Sequence, residues 1–170
     1  MRLILIRHGP AGSADPERWP DDGERPLSES GVRRMRLAAR GIARMERGIQ
    51  VILTSPLARA LETARLLGDR LPDARVEAHD VLRPGHSPRR VMDMCASLDG
   101  VTHLALVGHE PDLGKLAGTI AFGAPSPMPF KKAGACAFDF DAAPKAGGGR
   151  LLWFLPPRAL RRLSGRKRRA

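Results

Sequence analysis

The stretch Arg2–Leu3–Ile4–Leu5–Ile6–Arg7, RLILIR, sets four consecutive apolar residues between two arginines. A strand with one wet face alternates, whereas a continuous apolar run is covered on both faces, as in a parallel sheet flanked by helices. Two more such runs follow, QVILT at Gln50–Thr54 and HLALV at His103–Val107. Helical patterns separate them. From Ser28 to about Glu46, Val32, Met35, Ala39, Ile42 and Met45 recur at spacings of three and four residues. Ser55 suits an N-cap and Pro56 a first helical position, opening a helix faced by Leu57, Leu61, Ala64, Leu67 and Leu71. Arg75–His79 reads as a short strand, 89–98 as a helix, and Pro111 opens another through Phe122. Ala135–Phe140 pairs with Leu151–Leu155 across the Gly147–Gly149 turn. Alternating strands and helices predict an α/β domain.

Composition narrows the function classes. A chain of 170 residues, 42% apolar and 28% charged, is one ordinary domain with a real core. No apolar run reaches the roughly 20 residues of a spanning helix, and Leu3–Ile6 is too short for a secretory signal core. Cys95 and Cys136 cannot build a disulfide scaffold or a cysteine-only zinc site. A cytoplasmic, monomeric protein is expected. The net charge is +11, but seven basic residues fall after residue 157, and without them 22 basic residues face 18 acidic ones. The reading is therefore a domain over 1–156 and a basic tail over 157–170, able to touch an acidic surface, lipid or nucleic acid. With 4% aromatics and no tyrosine, the chain has little with which to stack bases.

The unusual residues stand where the three buried strands end: Arg7–His8–Gly9, Ser55–Pro56–Leu57–Ala58–Arg59 and Gly108–His109–Glu110–Pro111. Ligands of open parallel sheets bind beyond those ends, and helix starts there favour an anion. For Arg59, the helix dipole opposes a first-turn cation by about 0.3–1 kcal/mol. A pair with Glu62 three residues on returns about 0.2–0.5 kcal/mol. Stability gives no reason for the arginine; a bound dianion does. No HxH or HxxxH spacing suggests a metal, and arginine beside histidine suits phosphate, because a guanidinium grips two oxygens and keeps its charge.

ILIRHG at Ile4–Gly9, TSPLARALETA at Thr54–Ala64 and LVGHEP at Leu106–Pro111, about fifty residues apart, resemble the three signatures of the histidine phosphatase superfamily. The length and RPLSESG at Arg25–Gly31 resemble its compact SixA-type phosphohistidine phosphatase branch. The likeness runs from Met1 to about Pro156. It implies a three-layer α/β/α sandwich with a mostly parallel central sheet. It also implies His8 as a nucleophile that becomes phosphorylated, Arg7 and Arg59 as phosphate ligands, and His109 as a protonated hydrogen-bond donor. Ser55 is a further phosphate-binding candidate, although capping the Arg59 helix is its plainer role. Gly9 is expected to let the backbone turn beneath the phosphate.

No metal or cofactor enters this chemistry. Neutral imidazole is nucleophilic near pH 7, and a backbone carbonyl is expected on its protonated nitrogen. Larger superfamily members carry a glutamate acid for alcohol leaving groups. Here Asp80, His86 and Glu110 lie near plausible rims without a recognisable acid motif. Imidazole leaves without such help, which tilts the reading toward phosphohistidine on a protein partner. The alternatives are a small-molecule phosphomonoesterase and a non-catalytic phosphate-recognising module tethered by its tail. His79 and His103 read as structural, and Cys95, Cys136, Trp153 and Phe154 as packing groups.

Overall fold

A computed structural model of the chain describes residues 1–165. Strands β1 (Arg2–Arg7), β2 (Val51–Thr54), β3 (Arg75–Ala78), β4 (His103–Gly108), β5 (Ala135–Asp139) and β6 (Arg150–Leu155) form one sheet in the order β3-β2-β4-β1-β5-β6. The first four strands of that order pair in parallel, and β5 and β6 add an antiparallel flank. Helices α1 (Glu29–Met45), α2 (Ala58–Gly68), α3 (Pro88–Ala96), α4 (Asp112–Phe122) and α5 (Pro157–Leu163) complete the chain.

The continuous apolar runs are explained by two cores. Ile4, Ile6, Ile52, Ala105 and Val107 pack with residues of α1, α2 and α5, among them Met35, Ile42, Leu67 and Leu160. Leu3, Leu5, Leu53, Leu104 and Leu106 pack with α3 and α4 on the other face. This is the α/β/α sandwich. Both cysteines lie in the second core, where burial raises the Cys95 thiol to about 12 and shifts Cys136 the same way.

Three details depart from the sequence reading. The second helix begins at Ala58, after Pro56, and ends at Gly68, before Leu71. Leu57 is its N-cap and, being apolar, makes no side-chain bond to the helix amides. The fourth helix likewise starts after Pro111, at Asp112. Third, the chain beyond 156 is not simply a tail. Pro157–Leu163 is helical and packs on α1, with Leu160 fully buried. Gly41, a mild objection to α1 on propensity grounds, is where a Cβ would collide with the Leu160 carbonyl. One buried leucine among arginines leaves too little pattern to announce a helix. The remaining tail residues Arg166, Lys167, Arg168 and Arg169 lie outside the described residues.

Candidate active site

Because β2, β4 and β1 are adjacent, their carboxyl ends bring distant residues together. The ladders continue past the strands: His8 N donates to Gly108 O at 3.1 Å and Ser55 N to Val107 O at 3.0 Å. The His8 and His109 rings come to lie 5.0 Å apart, centroid to centroid, tilted by 51°. Both are almost fully buried, as are Ser55 and Arg59.

The His8 Nδ1 atom lies 2.7 Å from the carbonyl oxygen of Gly9. A carbonyl only accepts, so Nδ1 carries the proton and Nε2 keeps its lone pair. Burial lowers the His8 pKa to about 4; the Gly9 bond pulls the other way, and Arg59, Arg7 and Lys132 add to the lowering. His109 falls to about 3, from burial first and then from His8, Arg59 and Arg7. The expected protonated His109 is therefore not found in the free chain: it is neutral because two cations and a buried ring disfavour a third charge. Its Nε2 is 2.9 Å from Ser55 Oγ. That bond corrects the capping role expected of Ser55, whose hydroxyl also accepts from Leu57 N at 3.3 Å.

The two guanidiniums are held differently. Arg59 does not pair with Glu62. Its Nη2 meets Asp22 Oδ2 at 3.2 Å and its Nη1 donates to Asp22 O at 2.8 Å. Asp22 belongs to a short 3-10 helix, Asp22–Glu24, in the loop after β1, and its carboxylate also takes Arg25 Nε at 2.7 Å. Glu62 instead accepts from Leu27 N at 2.9 Å and ties that loop to α2. Arg7 donates to Phe130 O at 2.6 Å, has no carboxylate partner among the described residues, and keeps a buried Nε without a hydrogen bond. Burial lowers the pKa of both arginines from a very high value, so both stay charged.

Several contributors escaped the sequence reading. Thr63 Oγ1 accepts from Gly9 N at 3.0 Å and donates to Arg59 O at 2.8 Å, joining the first and second motifs. Thr63 stood inside the quoted TSPLARALETA stretch, but nothing there indicates which backbone it meets. Asp22 and Lys132 carry no motif at all. Gly9 is corrected too: its backbone needs no positive φ, and a Cβ there would press on Leu27 and Met35 at 3.2–3.3 Å. Its smallness serves packing rather than a turn.

The three acid candidates separate. Asp80 is exposed, bonded to Arg83 Nε at 2.9 Å, and that bond leads the effects lowering its pKa. His86 is half-buried, with Nδ1 3.3 Å from Arg90 Nη1, and lines a small cleft beside His109. Glu110 is the one whose pKa is raised, by burial. Its Oε1 accepts from Phe130 N at 2.9 Å, however, so it fixes the loop whose carbonyl holds Arg7. Among the described residues no group of three or more His, Cys, Asp or Glu side chains could hold a metal ion. No helix among them is long and apolar enough to cross a membrane.

Comparison with known proteins agrees with this arrangement. Residues 3–85 match the family model described as histidine phosphatase superfamily, branch 1. An uncharacterized protein of Picosynechococcus sp. strain PCC 7002 is 37% identical over 131 residues, 72% of this chain and 74% of that one. The phosphohistidine phosphatase SixA of Escherichia coli K12 is 27% identical over 161 residues, 92% of this chain and 94% of that one. A solved structure of the protein histidine phosphatase SixA complexed with tungstate superposes with a TM-score of 0.79 at 27% identity, covering 94% and 99% of the two chains. The buried histidine pair at the parallel strand ends, its flanking arginines and these likenesses agree: the chain belongs to the histidine phosphatase superfamily, in its SixA-type branch, and is a phosphatase.

Proposed function

We propose that the protein hydrolyses phosphohistidine on a protein partner through a covalent phospho-His8 intermediate. The observation that carries this reading is Arg7. It is a cation with no carboxylate within ion-pair distance among the described residues, Glu110 acting on it from farther off, and with an orphaned buried Nε beside a neutral imidazole whose tautomer is already set. Leaving such a group unsatisfied costs about 1–3 kcal/mol, which a phosphoryl group would relieve. The related SixA structure is complexed with tungstate, a tetrahedral oxyanion, which supports an oxyanion as the ligand class.

The chemistry follows from the hydrogen bonds. The Nε2 lone pair of His8 attacks phosphorus in line, the Nε2–P bond forms, and the P–N bond of the substrate breaks. The substrate ring leaves as neutral imidazole when its second nitrogen already holds a proton. Arg7 and Arg59 hold the equatorial oxygens, with Arg59 exchanging its Asp22 contact for them. His109 Nε2 and the Ser55 hydroxyl share a hydrogen bond; with Ser55 as donor, the His109 proton sits on Nδ1 and the neutral ring donates to a phosphoryl oxygen. Water then attacks phosphorus, the Nε2–P bond breaks, and inorganic phosphate leaves. His8 is again neutral, because Nδ1–H stayed on the Gly9 carbonyl throughout.

The carboxylates near the site offer an alkoxide little: Asp22 and Asp80 are held ionised by arginines, and Glu110, although raised by burial, accepts from Phe130 N. That favours imidazole over a sugar alcohol as leaving group. Turnover should be measured in EDTA on a phosphohistidine protein, a phosphoramidate and an alkyl phosphate, with acid-labile phosphoenzyme trapped in parallel. Wild type should favour the P–N substrates and form the adduct; His8→Ala should lose both adduct and turnover. Preference for the alkyl ester would replace the substrate assignment, and residual turnover in His8→Ala would end the covalent route.

A further inference from the structure

The loop between β1 and α1 reaches the histidine site through Asp22, whose charge acts on His109. Asp22 Oδ2 lies 3.2 Å from Arg59 Nη2, and the Asp22 carbonyl accepts from Arg59 Nη1 at 2.8 Å. One residue thus spans both terminal nitrogens of Arg59, the fork with which a guanidinium grips two phosphoryl oxygens. Arg7 is held otherwise, by a neutral group: its Nη1 donates to Phe130 O at 2.6 Å.

A pair that served structure alone would be buried on both sides. Here the Arg59 side chain is 8% exposed and that of Asp22 55%. A carboxylate so exposed returns to water at little cost. It also has a second holder. Arg25 Nε meets the other oxygen, Oδ1, at 2.7 Å, closer than Arg59 approaches Oδ2, and Arg25 Nη1 is anchored on Gly12 O at 2.6 Å. Asp22 can therefore leave Arg59 and stay paired. The loop is pinned at its base by the Ala11–Leu27 bridge and by Leu27 N on Glu62, whereas the 3-10 turn that carries Asp22 buries none of its own residues. Charge balance points the same way. Arg7 and Arg59 together offset a phosphoryl dianion, and a carboxylate left on the Arg59 fork would repel it.

We infer that Asp22 competes with the phosphoryl group for Arg59: it is a positioning residue that sets how tightly the site holds its anion, turning to Arg25 when phosphoryl oxygens take the Arg59 fork. This competition rests on the phosphoryl site proposed at His8, Arg7 and Arg59, and not on the identity of the leaving group. An arginine shared with a competitor binds its anion only in the fraction of molecules that release it, and apparent affinity falls by that fraction. The penalty falls on substrate and product phosphate alike, so it raises KM and hastens phosphate release.

Calorimetric titration of the full chain with tungstate, a tetrahedral dianion, tests it, alongside KM and kcat on a phosphoramidate. Asp22→Asn keeps the backbone carbonyl and the side-chain shape but loses the charge. It should bind tungstate about tenfold more tightly and lower KM by a similar factor, with no rise in kcat. Asp22→Glu, which keeps the charge, should stay nearer wild type than Asp22→Asn does. Arg59→Ala should weaken tungstate at least tenfold. Binding by Asp22→Asn that equals wild type or is weaker would overturn the competition and leave Asp22 a structural partner of Arg59. Asp22→Glu binding as tightly as Asp22→Asn would overturn it too, since charge would then not be the competitor. Tungstate bound alike by wild type and Arg59→Ala would instead displace the phosphoryl site itself.

Discussion

The helices that frame this sheet begin in two ways. α1 and α3 start from Ser28 and Ser87, whose hydroxyls accept from Gly31 N at 3.0 Å and Arg90 N at 3.4 Å. α2 and α4 start from Leu57 and Pro111, with no side-chain cap at either. α5 is also uncapped, at Pro156 after β6, but α2 and α4 are the uncapped helices that follow directly on the strand ends carrying the histidine cluster. Ser55 stands three residues before α2, accepts from Leu57 N, and also bonds His109 across the sheet. A capped helix start satisfies its own amides and serves stability. An uncapped one beside buried cations leaves amides and positive dipole turned toward an anion. The same residue type thus does structural work at one position and orients an imidazole at the other.

The contrast can be broken most forcefully at Arg59, which opens the uncapped α2. Arg59→Ala should lower kcat/KM by about 10²–10³, the scale of losing one preorganised charge donor, measured on a phosphoramidate. Ser55→Ala comes next. Losing one hydrogen bond to a group that polarises in the transition state should cost about 10–100-fold in kcat, while a rate equal to wild type would make Ser55 a mere packing residue. Acid titration follows. The His8 and His109 pKa values, about 4 and about 3 in the native chain, lie below the unfolded value of about 6.5. The unfolded chain binds protons that the native pair refuses, so stability falls as pH drops from about 6.5 toward 4. Tm should decline over that window, and less steeply in His109→Gln; equal slopes would mean the pair does not resist protonation. The smallest effect belongs to Ser28→Ala, expected to remove about 1 kcal/mol from the unfolding free energy with kcat unchanged. A kcat loss matching that of Ser55→Ala would erase the distinction.

Much of this was legible along the chain, for definite reasons. A strand covered on both faces must be apolar throughout, so RLILIR, QVILT and HLALV announced both the sheet and its helical layers. Their ends fell on Arg7, His8, Ser55, Arg59 and His109. The β3 strand was readable from its bounding segments although it lies exposed at the sheet edge. The α5 helix was not, since its burial rests on Leu160 against Gly41, a meeting of residues 119 positions apart.

What the sequence alone determined is therefore the class of fold and the inventory of chemistry, because apolar periodicity and residue type are local properties. Tertiary structure decided the pairings: Arg59 with Asp22 rather than Glu62, Ser55 with His109 in addition to Leu57 N, and Glu110 with the loop that holds Arg7. It also decided charge, leaving His109 neutral. Hydrogen-bond partners and desolvation depend on which distant backbone closes over a side chain, and no spacing along the chain encodes that.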